Sequence, residues 1–134
     1  MKCKDLTISD YVKHDGAIKI VDAVYLYSVS VHDPSEEWSI SEAKTYSIDD
    51  IEPIGLTEEI LVKNGFHTYG ESYFIPEDKC NAHVRIGFHY RETVVDLHRH
   101  GAFSIQISYK PGMLYVHTLQ HLLRERGIDK EIEL

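Results

Sequence analysis

The chain is predicted to be an α+β protein. It should hold an N-terminal small twisted β unit, a short capped helix, and an antiparallel β-meander covered by a C-terminal helix. Three observations carry that prediction. Residues 51–66 spell a short helix with both ends specified. Three apolar rows of period two follow between residues 84 and 109. The segment 115–126 then repeats apolar residues at helical spacing and ends at Gly127. Strands and helices in separate runs, rather than alternating, are the mark of an α+β architecture.

Residues 1–50 read as the small β unit. Gly16 marks a turn between Tyr11-Val12-Lys13 and a long β-rich run from Ala17 to Val31. Val24 and Leu26, with Tyr25, Tyr27, Val29 and Val31, make that run apolar on both faces in places. A bulge is expected near Val21-Asp22, where the alternation changes phase. His32-Asp33-Pro34-Ser35 is a turn cluster. Trp38-Ser39-Ile40 and Thr45-Tyr46-Ser47-Ile48 read as short strands. A highly twisted sheet or a small SH3-like barrel would accommodate these pieces.

The helix is predicted over 57–64. Thr57 is its N-cap, since a threonine hydroxyl can take an orphan backbone N–H. Glu58 and Glu59 place negative charge at the positive end of the helix dipole. Leu56 and Leu61 occupy the two positions of a hydrophobic staple. Asn64-Gly65 supplies the left-handed stop, with Phe66 folding back on Leu61. Pro53 stiffens the approach to the helix.

The meander comes next. Gly70-Glu71 suits a two-residue hairpin pairing 66–69 with 72–75, and Pro76-Glu77-Asp78-Lys79 breaks the sheet. Val84, Ile86, Phe88 and Tyr90 share one face, as do Thr93, Val95, Leu97 and then Phe103, Ile105, Ile107, Tyr109. A side-chain period of two makes all three rows point into one core. Arg91-Glu92 and Arg99-His100-Gly101 are the expected turns, and Pro111-Gly112 ends the last strand. Tyr115, Leu119, Leu122 and Leu123 form the apolar stripe of the final helix, which Gly127 stops and Ile128 caps.

The whole is expected to be one domain, 1–134, subdividing into 1–50 and 51–134. Apolar residues make up 43% of it, enough for a core. Fourteen basic against 22 acidic residues give a net charge of −8, which repels a nucleic-acid backbone unless the basic residues cluster. No stretch approaches the roughly 20 apolar residues of a membrane span. Residues 1–6 show no apolar signal-peptide core, and the two cysteines, Cys3 and Cys80, read as free thiols. The expected location is the cytoplasm, with no membrane partner.

The helix signature Ile51-Glu52-Pro53-Ile54-Gly55-Leu56-Thr57-Glu58-Glu59-Ile60-Leu61-Val62-Lys63-Asn64-Gly65-Phe66 and the end His117-Thr118-Leu119-Gln120-His121-Leu122…Gly127…Glu131-Ile132-Glu133-Leu134 resemble one family. It comprises small uncharacterised Bacteroidetes proteins associated with prophage or conjugative elements. The start, Leu6-Thr7-Ile8-Ser9-Asp10-Tyr11-Val12, is similar too, with Ser9-Asp10 standing where the family usually has Gly-Asn. The resemblance implies a fold and a mobile-element context, and no activity.

Histidine is the residue type that invites chemistry. There are nine, six of them between positions 83 and 121. His98 and His100 have the spacing that puts two imidazoles on one strand face, and His117 and His121 share a helix face. Neutral imidazoles in threes or fours bind first-row metals. The spacing nevertheless fails for a cupin-like site, since Phe103-Ser104-Ile105 stands where a glutamate is needed, and for His-Glu-x-x-His, which lacks its Glu here. The sheet should also separate His98 from the helical pair. The expectation is therefore no catalytic residue, no cofactor and no metal, with His98, His100, His117 and His121 as the metal candidates to check. Cys80, three residues from His83, would need a lowered pKa to act as a nucleophile. Arg85, Arg91, Arg99 and Lys110 with Tyr90 and Tyr109 could track a single nucleic-acid strand if they shared a face.

The reading the sequence favours is a non-catalytic accessory or adaptor protein of a mobile genetic element, acting on a protein partner. Nine tyrosines against four phenylalanines point the same way, because tyrosine brings apolar area and a polar tip to interfaces. A histidine-metal enzyme is the alternative, and a single-stranded nucleic-acid-binding module the third.

Overall fold

Asp15 and Gly16 both take positive φ, at 49° and 78°. Such a two-residue turn matches the twist of the strands it joins. In the computed structural model, which describes residues 1–34 and 43–134, this turn links β1 (Tyr11–His14) to β2 (Ala17–Val24). β2 pairs with β3 (Ser28–His32) and β3 with β4 (Lys44–Ser47), all antiparallel. A 3-10 turn at Ile48–Asp50 leads into β5 (Ile51–Pro53), which returns to pair with β1. The sheet order is β4-β3-β2-β1-β5. Its core is small and rich in valine: Cys3, Leu6, Val12, Val21, Val29, Val31 and Ile51. The expected bulge is present, with the β2–β3 register shifting between Val21 and Ala23.

Two readings of this region change. The run Ala17 to Val31 is not continuous, because it turns back at residues 25–27, where the Tyr25 N–H donates to the Ser28 carbonyl at 2.9 Å. No glycine, proline or asparagine announces that turn, and an apolar loop reads as strand. Residues 51–53, read as the lead-in to the helix, are a strand of the first sheet. The expected strand Trp38-Ser39-Ile40 lies outside the described residues.

The chain divides into two compact units, Met1–Ile54 and Gly55–Leu134. The second opens with α1 (Glu58–Lys63). The Thr57 hydroxyl accepts the Ile60 N–H, as its N-cap role requires. At the other end Gly65 takes φ +85°, where a Cβ would strain the backbone. The N–H of Phe66 then reaches the Leu61 carbonyl and that of Gly65 the Val62 carbonyl. That pair of bonds is the Schellman closure.

The second sheet has the order β10-β9-β8-β7-β6. β6 (His67–Tyr69) and β7 (Ser72–Ile75) form the predicted hairpin around Gly70-Glu71. A short helix, α2 (Glu77–Cys80), replaces the sheet after Pro76. β8 (His83–Phe88), β9 (Thr93–Arg99) and β10 (Phe103–Tyr109) complete the meander. The cross-strand register aligns Val84, Leu97 and Ile105 in one row and Ile86, Val95 and Ile107 in the next. The predicted inward face is therefore correct: Leu97 is buried and His98 exposed. Tyr90 is the exception. β8 stops at Phe88, so Tyr90 sits in the turn 89–92 and is 96% exposed. The next loop is His100-Gly101-Ala102, one residue later than expected, because Arg99 still pairs with Phe103.

α3 (Val116–Glu125) buries Val116, Leu119 and Leu123, with Leu122 half-buried. It closes with a second Schellman pair, Ile128 N–H to Leu123 and Gly127 N–H to Arg124. Two buried amides anchor residues 130–133. Asn64 donates to the Glu133 carbonyl and accepts the Glu133 N–H, both at 2.8 Å. Gln120 does the same for the Lys130 carbonyl and the Ile132 N–H.

Candidate protein-contact surface

The β2–β3 loop consists of Tyr25, Leu26 and Tyr27, which are 55%, 77% and 74% exposed. Their placement follows from the strands. β2 runs out of paired residues at Val24, which faces Val29. The next three side chains belong to a tight loop and cannot reach a core. The loop is nevertheless well fixed. The Tyr27 carbonyl accepts the Ile48 N–H at 3.0 Å, and the Cys3 thiol lies 3.8 Å from the Ser28 carbonyl. Beside it lies an open groove of about 610 Å³ lined by Met1, Lys2, Leu6, Val24, Tyr25 and Ile48, among others. The groove is mostly apolar, with Lys2, Lys4 and Asp49 supplying charge at its wall. Tyr25, Leu26 and Tyr27 thus form a contiguous exposed apolar patch beside an apolar groove.

The metal candidates are dispersed. His98 is exposed on the outer face of β9, opposite His83 on β8. His100 lies in the β9–β10 loop, where its backbone N–H donates to Glu77. His117 is buried on α3, stacked on Tyr115 at 5.8 Å between ring centroids and meeting His121 edge-on at 5.7 Å. Among the described residues, no three His, Cys, Asp or Glu side chains are grouped to hold a metal ion. Nor does any helix among them have the length and apolarity to cross a membrane.

Cys80 is a structural thiol. It is buried and donates to the Ala82 carbonyl at 3.1 Å. Burial pushes its pKa up, which suppresses the thiolate. The basic and aromatic residues considered for nucleic acid do not share a face. Arg85 is on the outer face beside Asp96 at 3.4 Å. Arg99 binds the carbonyls of Asn81 and Gly127 and lies over the Phe103 ring. Tyr109 is on the inner, half-buried row, where burial raises its pKa and Glu125 of α3 adds to the effect.

The sequence missed both the exposed tip and a close pair, His32 Nδ1 to Asp22 Oδ1 at 2.6 Å, which joins β3 to the β2 bulge. The tip had one sequence signal: a run apolar on both faces is too rich for a single half-buried strand. No protein family, characterised protein or solved structure matches the chain.

Proposed function

We propose that this protein is a non-catalytic accessory or adaptor module that works by protein contact, with Tyr25, Leu26 and Tyr27 as the contact residues. The observation that carries the reading is their outward placement on a fixed loop next to an apolar groove. Tyrosine at such a tip offers large contact area at small entropic cost. The partner this surface suits is a protein bearing an apolar segment. The mobile-element context rests on the resemblance in residues 51–66 and 117–134. The cytoplasm is supported by two cysteines that are buried and unpaired, the usual state in a reducing compartment.

The test compares the wild-type chain with Leu26→Ser and Tyr27→Ser as baits in extracts of the native host. A partner retained by the wild type and lost by both variants, at unchanged melting temperature, is the expected result. Equal retention by all three would remove the tip from the function. Elemental analysis of protein purified without a histidine tag addresses the metal-enzyme alternative. Near-unit zinc, iron or nickel, with a drop in melting temperature on adding EDTA, would replace the adaptor reading.

A further inference from the structure

β10 is the edge of the second sheet, and among the described residues nothing pairs with its outer side. Edge strands are normally protected by brevity, charge or proline. The other three edges among the described residues follow that rule. β6 has three residues, β4 has four and begins with a lysine, and β5 has three including Glu52 and Pro53. β10 has seven residues and no charge, proline or glycine. Its apolar row is also unfinished. Leu97 and Val95 are fully buried, whereas Ile105 and Ile107, next to them in the same rows, are only half-buried.

The order of residues along this edge is symmetric: Phe103-Ser104-Ile105-Gln106-Ile107-Ser108-Tyr109. Antiparallel pairing of two copies about Gln106 would set Phe103 against Tyr109, Ser104 against Ser108, and Ile105 against Ile107. Each pair is of like chemistry, and aromatic, hydroxyl and β-branched cross-strand pairs all stabilise a sheet. Paired positions have the same parity, so both copies present their apolar rows on the same side. A two-fold interface requires this kind of self-complementarity. We infer that β10 is a homodimerisation edge, joining two copies of this chain through antiparallel β10–β10 pairing centred on Gln106. Backbone pairing along one strand is a small interface, so the dimer is reversible and concentration-dependent.

Sedimentation of the full chain from micromolar to millimolar concentration should show conversion toward twice the 15.5 kDa chain mass. Gln106 is exposed, so Gln106→Lys should melt like the wild type. On the two-fold axis, however, its charge meets its own copy, and the variant should stay monomeric at concentrations where the wild type pairs. Gln106→Cys should crosslink to itself on mild oxidation, since Cys3 and Cys80 are buried and do not compete. Ser104→Cys should crosslink to Ser108→Cys in a mixture and poorly to itself. A wild type that dimerises, a Gln106→Cys that crosslinks and a Gln106→Lys that loosens the pair together establish β10 as the dimer edge. A wild type monomeric throughout, or a dimer that Gln106→Lys leaves intact or that Gln106→Cys fails to link, overturns it. A monomer that accepts a strand from a different protein counts among the overturning results.

Discussion

The two five-stranded sheets handle apolar residues differently. In the C-terminal unit most apolar side chains follow the strand period into buried rows, Val94 excepted, and are less deeply buried along the β10 edge. In the N-terminal unit the core is made mostly of valines, while larger apolar residues stand outside at 25–27. A fold in need of stability would bury a leucine and two tyrosines. Leaving them on a fixed loop separates the part of the surface that stability explains from the part it does not.

The contrast can be broken by mutation, most severely in the C-terminal core. Leu119→Ala, at a fully buried position, should cost about 2–5 kcal/mol in denaturant unfolding. Gly65→Val should come next, with a loss of about 1 kcal/mol or more, because the left-handed backbone penalises a branched Cβ. No atom lies within 4 Å of where that Cβ would sit, so the loss should be conformational and not steric. A variant melting like the wild type would disprove the Schellman closure. Ser9 tests the other unit. It takes φ +77° without being glycine, and Ser9→Gly should raise stability by up to about 1 kcal/mol. The smallest effect belongs to the tip. Leu26→Ser should move stability by no more than about 0.5 kcal/mol while abolishing partner retention. A large loss of stability there would mean that the tip is a structural element and erase the contrast.

The C-terminal unit was legible because its punctuation is local. Thr57, Gly65, Gly70, Gly101 and Gly127 mark element ends by conformational need, and apolar alternation, broken at Val94, sets the register between them. Tyr90 was misplaced because alternation continues past the last paired residue, Phe88. In the N-terminal unit the hairpin at 25–27 escaped because its turn is made of residues that favour strands. The β5–β1 pairing escaped because Val12 and Pro53 are brought together by closure of the whole unit, which no local pattern encodes. The exposed tip was illegible for the same reason: exposure depends on where a turn falls. Ser9 is a case in between. Its φ of +77° is one that glycine adopts without strain, but serine there gives no sign of it in the sequence.

Asn64 also ties the two ends of the second unit to each other. Its buried amide is completed by the backbone of Glu133, 69 residues later. α1, near the start of the unit, keeps an unfinished buried polar group whenever Glu133 is undocked. Gln120 links α3 to the same segment through Ile132. Deleting residues 130–134 should therefore weaken the C-terminal unit at both α1 and α3, read as a lowered melting temperature.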